Sequence, residues 1–311
     1  MEVSMRVCLI VAVLSAVIGA VMTPAPVEAS GVVIVMRRDA PSFDEVKNSF
    51  IQQSFVEQIP GLSTQPYLIT GGAGDAAVFK EISDKRPDAV FAIGHFAATK
   101  VREALPETPV IAAMVYYPEL NGIVSDPRTA IVSSLGAPKE MISQVKIFRK
   151  IKSLGLLYST SISPAAAVIA AEFKAQGVEV VDMPVGKQEE ISLQLEGVKG
   201  RMQALVVLPD PITQNPDAIR FIVTQSIAAD VLPLSFNEAM VSSGIFFSVY
   251  YPTDAIGRKS AQVLKETLQL QRIPAARIQV PETTATALNR GTLQALKLKI
   301  PSNMKIGVIY E

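Results

Sequence analysis

Short apolar runs alternate with amphipathic segments along almost the whole chain, and the alternation runs through twice. In the first pass, "GVVIVMRR", "TQPYLIT", "DAVFAIG", "TPVIAAMVYY" and "TAIVSSLG" read as strands from their length and β-branched content. The segments "SFDEVKNSFIQQSFVEQI", "DAAVFKEISDKR" and "FAATKVREAL" lie between them and read as helices. In the second pass, "SLGLLYS", "VEVVDMPV", "MQALVVLPD", "VLPLSF" and "IFFSVYY" are the strands, again separated by helical stretches. A long helix, "TDAIGRKSAQVLKETLQLQ", follows them. Strand-helix alternation requires parallel sheets with helices on both faces. Two successive runs predict an α/β chain of two doubly wound parallel-sheet lobes.

The first residues follow a different rule. "MRVCLIVAVLSAVIGAVM" sets one arginine before an apolar stretch, and "TPAPVEAS" follows it. This is the order of a secretory signal peptide over residues 1–29, with cleavage after Ala29. A rival reading of the same residues is an uncleaved N-terminal membrane anchor. Cys8 is the single cysteine and lies inside this leader, so the mature chain is expected to have no disulfide and no thiolate chemistry. An exported, periplasmic protein is the expectation. The 29 basic and 29 acidic side chains balance, which gives no electrostatic case for a nucleic-acid partner.

Catalytic signatures are weak. Gly72-Ala73-Gly74-Asp75-Ala76-Ala77 fits the dinucleotide fingerprint G-x-G-x-x-G/A. That motif should follow the first strand of its unit, with a carboxylate ending the next strand to hold a ribose. Here it follows the second strand, and the next one ends "FAIGHFAA". The better reading is a strand-to-helix turn with Asp75 at the positive end of the helix. His95 is the single histidine, no metal-ligand spacing occurs, and no G-x-S-x-G elbow is present. Neither a catalytic residue, a metal nor a cofactor is expected.

Four stretches, in order, resemble one family. They are "RPDAVFAIGHFAATKVREALPETPVIAAMVYYPELNGIV", "SLGLLYSTSISPAAAVIAAEFKAQGVEVV", "ADVLPLSFNEAMVSSGIFFSVYYPTDAIGRKSAQVLKETLQLQRIP" and "ALNRGTLQALKLKIPSNM". Together the chain resembles the ABC transporter substrate-binding proteins akin to tryptophan- and tyrosine-uptake receptors. The resemblance implies a type I periplasmic-binding-protein fold: two lobes that close on a small molecule and deliver it to an ABC permease of the inner membrane. It implies a first lobe of residues 30–137 plus 252–311, a second of 138–251, a non-enzymatic role and a monomer. Three strand ends depart from the family pattern. Tyr117-Pro118 replaces Asp-Pro, Ser159-Thr160 replaces Asn-Pro, and His95-Phe96 replaces Thr-Pro.

Open α/β sheets bind ligands at the carboxyl ends of their strands. The expected contacts are therefore Arg38, Asp39, Gly94, His95, Phe96, Tyr116 and Tyr117 in the first lobe. In the second they are Ser159, Ser161, Asp210, Asn237 and Glu238. Asp210 or Glu238 could pair with an amino group, and the phenol rings could stack on a flat ligand. Plainer roles compete: Asp210 as a turn former before Pro211, and Asn237 as a helix cap. Two other functions stay open, a sensing or scaffold module without transport and an exported α/β enzyme.

Overall fold

The computed structural model describes residues 31–37, 41–197, 200–302 and 304–311. The predicted leader, Arg38 and Asp39 lie outside them.

The first five strands are β1 (Val32–Met36), β2 (Tyr67–Leu68), β3 (Ala89–Ile93), β4 (Val110–Val115) and β5 (Thr129–Ser133). They alternate with α1 (Pro41–Val56), α2 (Asp75–Asp84) and α3 (His95–Ala104). The second series is β6 (Ser153–Ser159), β7 (Glu179–Val185), β8 (Ala204–Val207), β9 (Leu232–Ser235) and β10 (Phe247–Tyr250). Its helices are α4 (Pro138–Val145), α5 (Ser163–Ala175), α6 (Glu190–Gly197), α7 (Pro216–Ala228) and α8 (Glu238–Ser242). Then come α9 (Thr253–Leu270), β11 (Ile278–Gln279), β12 (Ala285–Asn289), α10 (Arg290–Ala295) and β13 (Val308–Tyr310).

The strands form two sheets, ordered β11-β5-β4-β3-β1-β2 and β13-β12-β10-β9-β8-β6-β7. Every pairing is parallel except β10 with β12. The continuous apolar character of β1, β3 and β8 follows from this, since helices bury both faces of a parallel sheet. On one face of the first sheet α1 and α9 pack together, with the Phe50 ring stacked on Phe91 at 3.9 Å. Ala97, Ala98 and Val101 of α3 cover the other face.

The end of the chain corrects the expected lobe division. Helix α9 and strand β11 join the first lobe, but β12 and β13 extend the second sheet. The "TATALN" strand lies antiparallel against β10, with Ala287 opposite Ser248 and Leu288 opposite Phe247. Strand-helix alternation carries no signal for such a return. Three segments therefore cross between the sheets: the links from β5 to α4, from β10 to α9 and from β11 to β12.

The glycine-rich turn after β2 behaves as an Asp-closed loop. The Asp75 carboxylate accepts from the backbone N–H of Thr70 at 2.9 Å and of Gly71 at 2.8 Å. These hydrogen bonds hold the Asp75 carboxyl below its usual range. The turn's amides already carry an anion from the chain itself, where a pyrophosphate would have to sit. The start of α1 is tied to another helix. The helix begins at Pro41, and Glu45 accepts from Thr253 Oγ1 of α9 at 2.9 Å.

Candidate functional site

The carboxyl ends of the two sets of strands face each other. Just past β4, Tyr117 donates its hydroxyl to the carbonyl of Pro209, just past β8, at 2.9 Å. The ring is 7% exposed and packs into the core of the second lobe. Burial and the nearby Asp210 both push the phenol's pKa up, so it remains a donor. Tyr117→Phe is expected to lower stability by about 1 kcal/mol, the size of one net hydrogen bond. It should also widen the distribution of lobe angles. Urea unfolding and small-angle scattering check the two parts separately.

A cavity of about 240 Å³ lies beside this contact. The first lobe supplies Ser42, Glu45, Met114, Tyr116 and Ser134, the second Phe236, Asn237 and Glu238, and the β10–α9 crossing Tyr250, Tyr251 and Thr253. A break in strand register builds its first-lobe wall. Between Ala112 and Val115 the β4–β5 pairing slips, and Met114 takes a φ of 57°. A side chain in that left-handed region is strained. The bulge brings Met114 and Tyr116 to the cavity wall and leaves Tyr117 for the neighbouring lobe. On the opposite wall Glu238 accepts from the Tyr310 hydroxyl at 2.7 Å. That bond and burial push the Tyr310 phenol up to about 12. Burial, then Glu238, raises Tyr250 as well.

Of the residues expected from strand ends, Tyr116, Asn237 and Glu238 line this cavity. Asn237 also has its plainer role, since its side chain accepts from the Ala239 N–H and caps α8. Gly94, His95 and Phe96 do not line it. Gly94 sits at φ 94° as the cap of α3, where a Cβ would come within 2.8 Å of the Phe43 ring. The Phe96 ring lies under the Arg37 guanidinium, 5.2 Å away, and packs near Gly71. Burial lowers the pKa of His95, so its imidazole is neutral at pH 7. The Ser159 and Ser161 hydroxyls bond each other at 2.6 Å.

Asp210 takes up the plainer of its two expected roles, holding a turn. Its carboxylate is 2% exposed and accepts three backbone N–H groups: Ser159 at 2.7 Å, Ile212 at 2.8 Å and Thr213 at 3.0 Å. Those bonds tie the ends of β6 and β8 together. Strand-end reasoning missed Ser42, Glu45, Ser134 and Thr253. Thr253 carries a recoverable signal, because it opens a helix that starts where the chain leaves the cleft edge, and Glu45 stands one turn into another such helix.

A wider, open hollow of about 750 Å³ covers Arg102, Asp126 and Arg128. It lies at the amino end of β5, away from the apposed strand ends. Its charges pair with each other, Arg102 Nε reaching Asp126 at 2.5 Å.

Comparisons with solved structures agree on one architecture, and a family model supplies the family. A family model described as "ABC transporter substrate binding protein" matches residues 71–307. A protein named "Tyrosine-binding protein" from Clostridioides difficile (strain R20291) is 22% identical over 232 residues. That match covers 71% of this chain and 66% of the relative, just under two thirds of its length. The ligand-free, open structure of a substrate binding protein with adhesive properties from Clostridium difficile superposes with a TM-score of 0.72 at 16% identity. It covers 90% of this chain and 99% of the other. An ABC domain in complex with L-Trp from Streptococcus pneumonia gives 0.64 at 19% identity, over 90% and 99% of the two chains. At these identities the structural matches establish the fold: two mostly parallel α/β lobes of the type I periplasmic-binding-protein kind.

Proposed function

The chain belongs to the ABC transporter substrate-binding protein family, and from that membership we propose that it is an exported receptor that captures a small amino-acid-like solute between its lobes and delivers it to an ABC permease. The observation that carries this reading is the cavity where the strand ends meet. Glu45 and Glu238 supply negative charge for an amino group, Tyr116 and Tyr250 supply flat apolar surface, and Ser42, Asn237 and Thr253 supply neutral hydrogen-bonding groups. The names of two matched proteins support the solute class, since one is called tyrosine-binding and the other holds L-Trp. The role is binding with lobe closure, without bond making, by a periplasmic monomer.

A panel of amino acids and small amines tests the proposal by thermal shift. A true solute at one hundred times its Kd should stabilise the fold by about 2.7 kcal/mol through mass action. Glu238→Gln should then weaken that solute by tenfold or more, the size of one hydrogen bond to a charged group (about 1.5–3 kcal/mol). If no panel member shifts the transition, solute capture is overturned. The Tyr117–Pro209 bond favours a second reading, because it already holds the lobes together through the protein's own groups. In that reading the chain is a sensing or scaffold module whose lobes do not move. Scattering curves that stay the same with and without a bound solute would favour it over uptake.

A further inference from the structure

A second cavity, of about 310 Å³, also lies between the lobes. It shares Tyr116 and Tyr251 with the first and otherwise has different walls. The first cavity meets α8, whose Met240 and Val241 pack on one face of the second sheet. The second meets α4 and α5, which pack on the opposite face. The two tyrosines therefore form a partition, and the second cavity opens on the far side of it.

Its lining has a consistent chemistry. Glu119 comes from the first lobe and Glu172 from the second. No lysine, arginine or histidine is among the described residues that line it. Neither carboxylate forms an ion pair with a described residue. Burial, then the neighbouring Glu119, pushes the Glu172 carboxyl up, so the two acids stand close enough to repel. The rim is apolar on both sides. Val168 of α5 is 44% exposed, and Ile278 and Val280 of the β11 edge are 44% and 52% exposed. Large apolar side chains so exposed, gathered in one hollow beside the half-buried Glu119 and the exposed Glu172, are unusual on a plain surface.

We propose that this far cavity is a second small-molecule site, for an organic cation with a compact apolar body. The ammonium group sits between Glu119 and Glu172 and relieves their repulsion. The apolar body lies on Val168, Ile169 and Ile278, with the Tyr251 ring as a face for the cation. Because one lobe supplies each carboxylate, the cation also ties the lobes at that angle. The site is independent of the solute proposed for the first cavity.

Titration of the full chain with 2-phenylethylammonium at pH 7.5, by calorimetry, tests the proposal. Saturable binding is expected below 10 mM. The Glu119→Gln/Glu172→Lys double variant should weaken it at least tenfold, while Glu238→Gln should leave it within twofold. 3-Phenylpropionate, the same body with the opposite charge, should bind at least tenfold more weakly. Both acids lie outside the fully buried core, and circular dichroism of the double variant checks that it folds. Absence of binding below 10 mM overturns the site. So does equal affinity for the two probes, or loss of amine binding in Glu238→Gln with the double variant unaffected, which would place the amine in the first cavity.

Discussion

Replacing Asp210 by alanine is expected to lower the free energy of unfolding by about 3–5 kcal/mol. Each buried donor left without a partner costs about 1–3 kcal/mol, and three N–H groups lose theirs at once. Ser159, Ile212 and Thr213 donate to this one carboxylate, which is 2% exposed. The loop it closes also presents the Pro209 carbonyl that Tyr117 reaches from the other lobe. Asp210→Asn should fall between the wild type and alanine. Ile212 and Thr213 share Oδ1 while Ser159 uses Oδ2, so an amide turns its NH2 toward at least one donor. Urea unfolding checks the stability and calorimetry with an identified solute checks the binding. A residue that only touched the solute would lose affinity at unchanged stability. That pattern in Asp210→Asn would falsify the scaffold role.

Asp210 also shows where sequence reasoning stops. Strand ends are legible because period and β-branched content mark where apolar runs finish, and that rule picks out Tyr116, Asn237 and Glu238, which line the first cavity. Which way an end residue turns is set by its neighbours in space. Tyr116 and Tyr117 are adjacent, yet Tyr116 walls both cavities while Tyr117 touches only the second and enters the core of the second lobe. The slip in β4 register ahead of them, between Ala112 and Val115, leaves no mark in "IAAMVYY". Asp210 and Glu238 look alike in sequence, each an acid at a strand end, but only the first meets three backbone donors. Glu238 is instead met by Tyr310, which reaches it because β13 returns to the second sheet. Parallel strands with helical crossovers repeat a pattern that a sequence shows. A single antiparallel return over short, Ala- and Thr-rich β12 does not.

Gly136→Ala should destabilise the chain by about 3 kcal/mol, the upper part of the usual range for overpacking. Gly136 lies on the first crossing segment, between β5 and α4. A Cβ there would stand 2.3 Å from the carbonyl oxygen of Val249 and 3.0 Å from its carbon, with the Phe236 ring at 3.2 Å. Val249 belongs to β10, which leads directly into the second crossing. The two crossings therefore touch backbone to backbone, and no side-chain rotation makes room. They must separate, and with them β5 and β10. Gly74→Ala is the matched control. Gly74 has φ −67° and ψ −22° and nothing within 4 Å of the added methyl, so the substitution should be neutral or stabilise by about 0.4–1 kcal/mol through the unfolded chain. Urea midpoints at unchanged slope measure both. The contact also bears on function, because lobes hinged on crossings this close can rotate about the contact but cannot slide along it. Gly136→Ala should accordingly change solute affinity, even though Gly136 does not line the first cavity. Loss of stability with unchanged affinity would mean that closure pivots elsewhere, at the β11–β12 crossing.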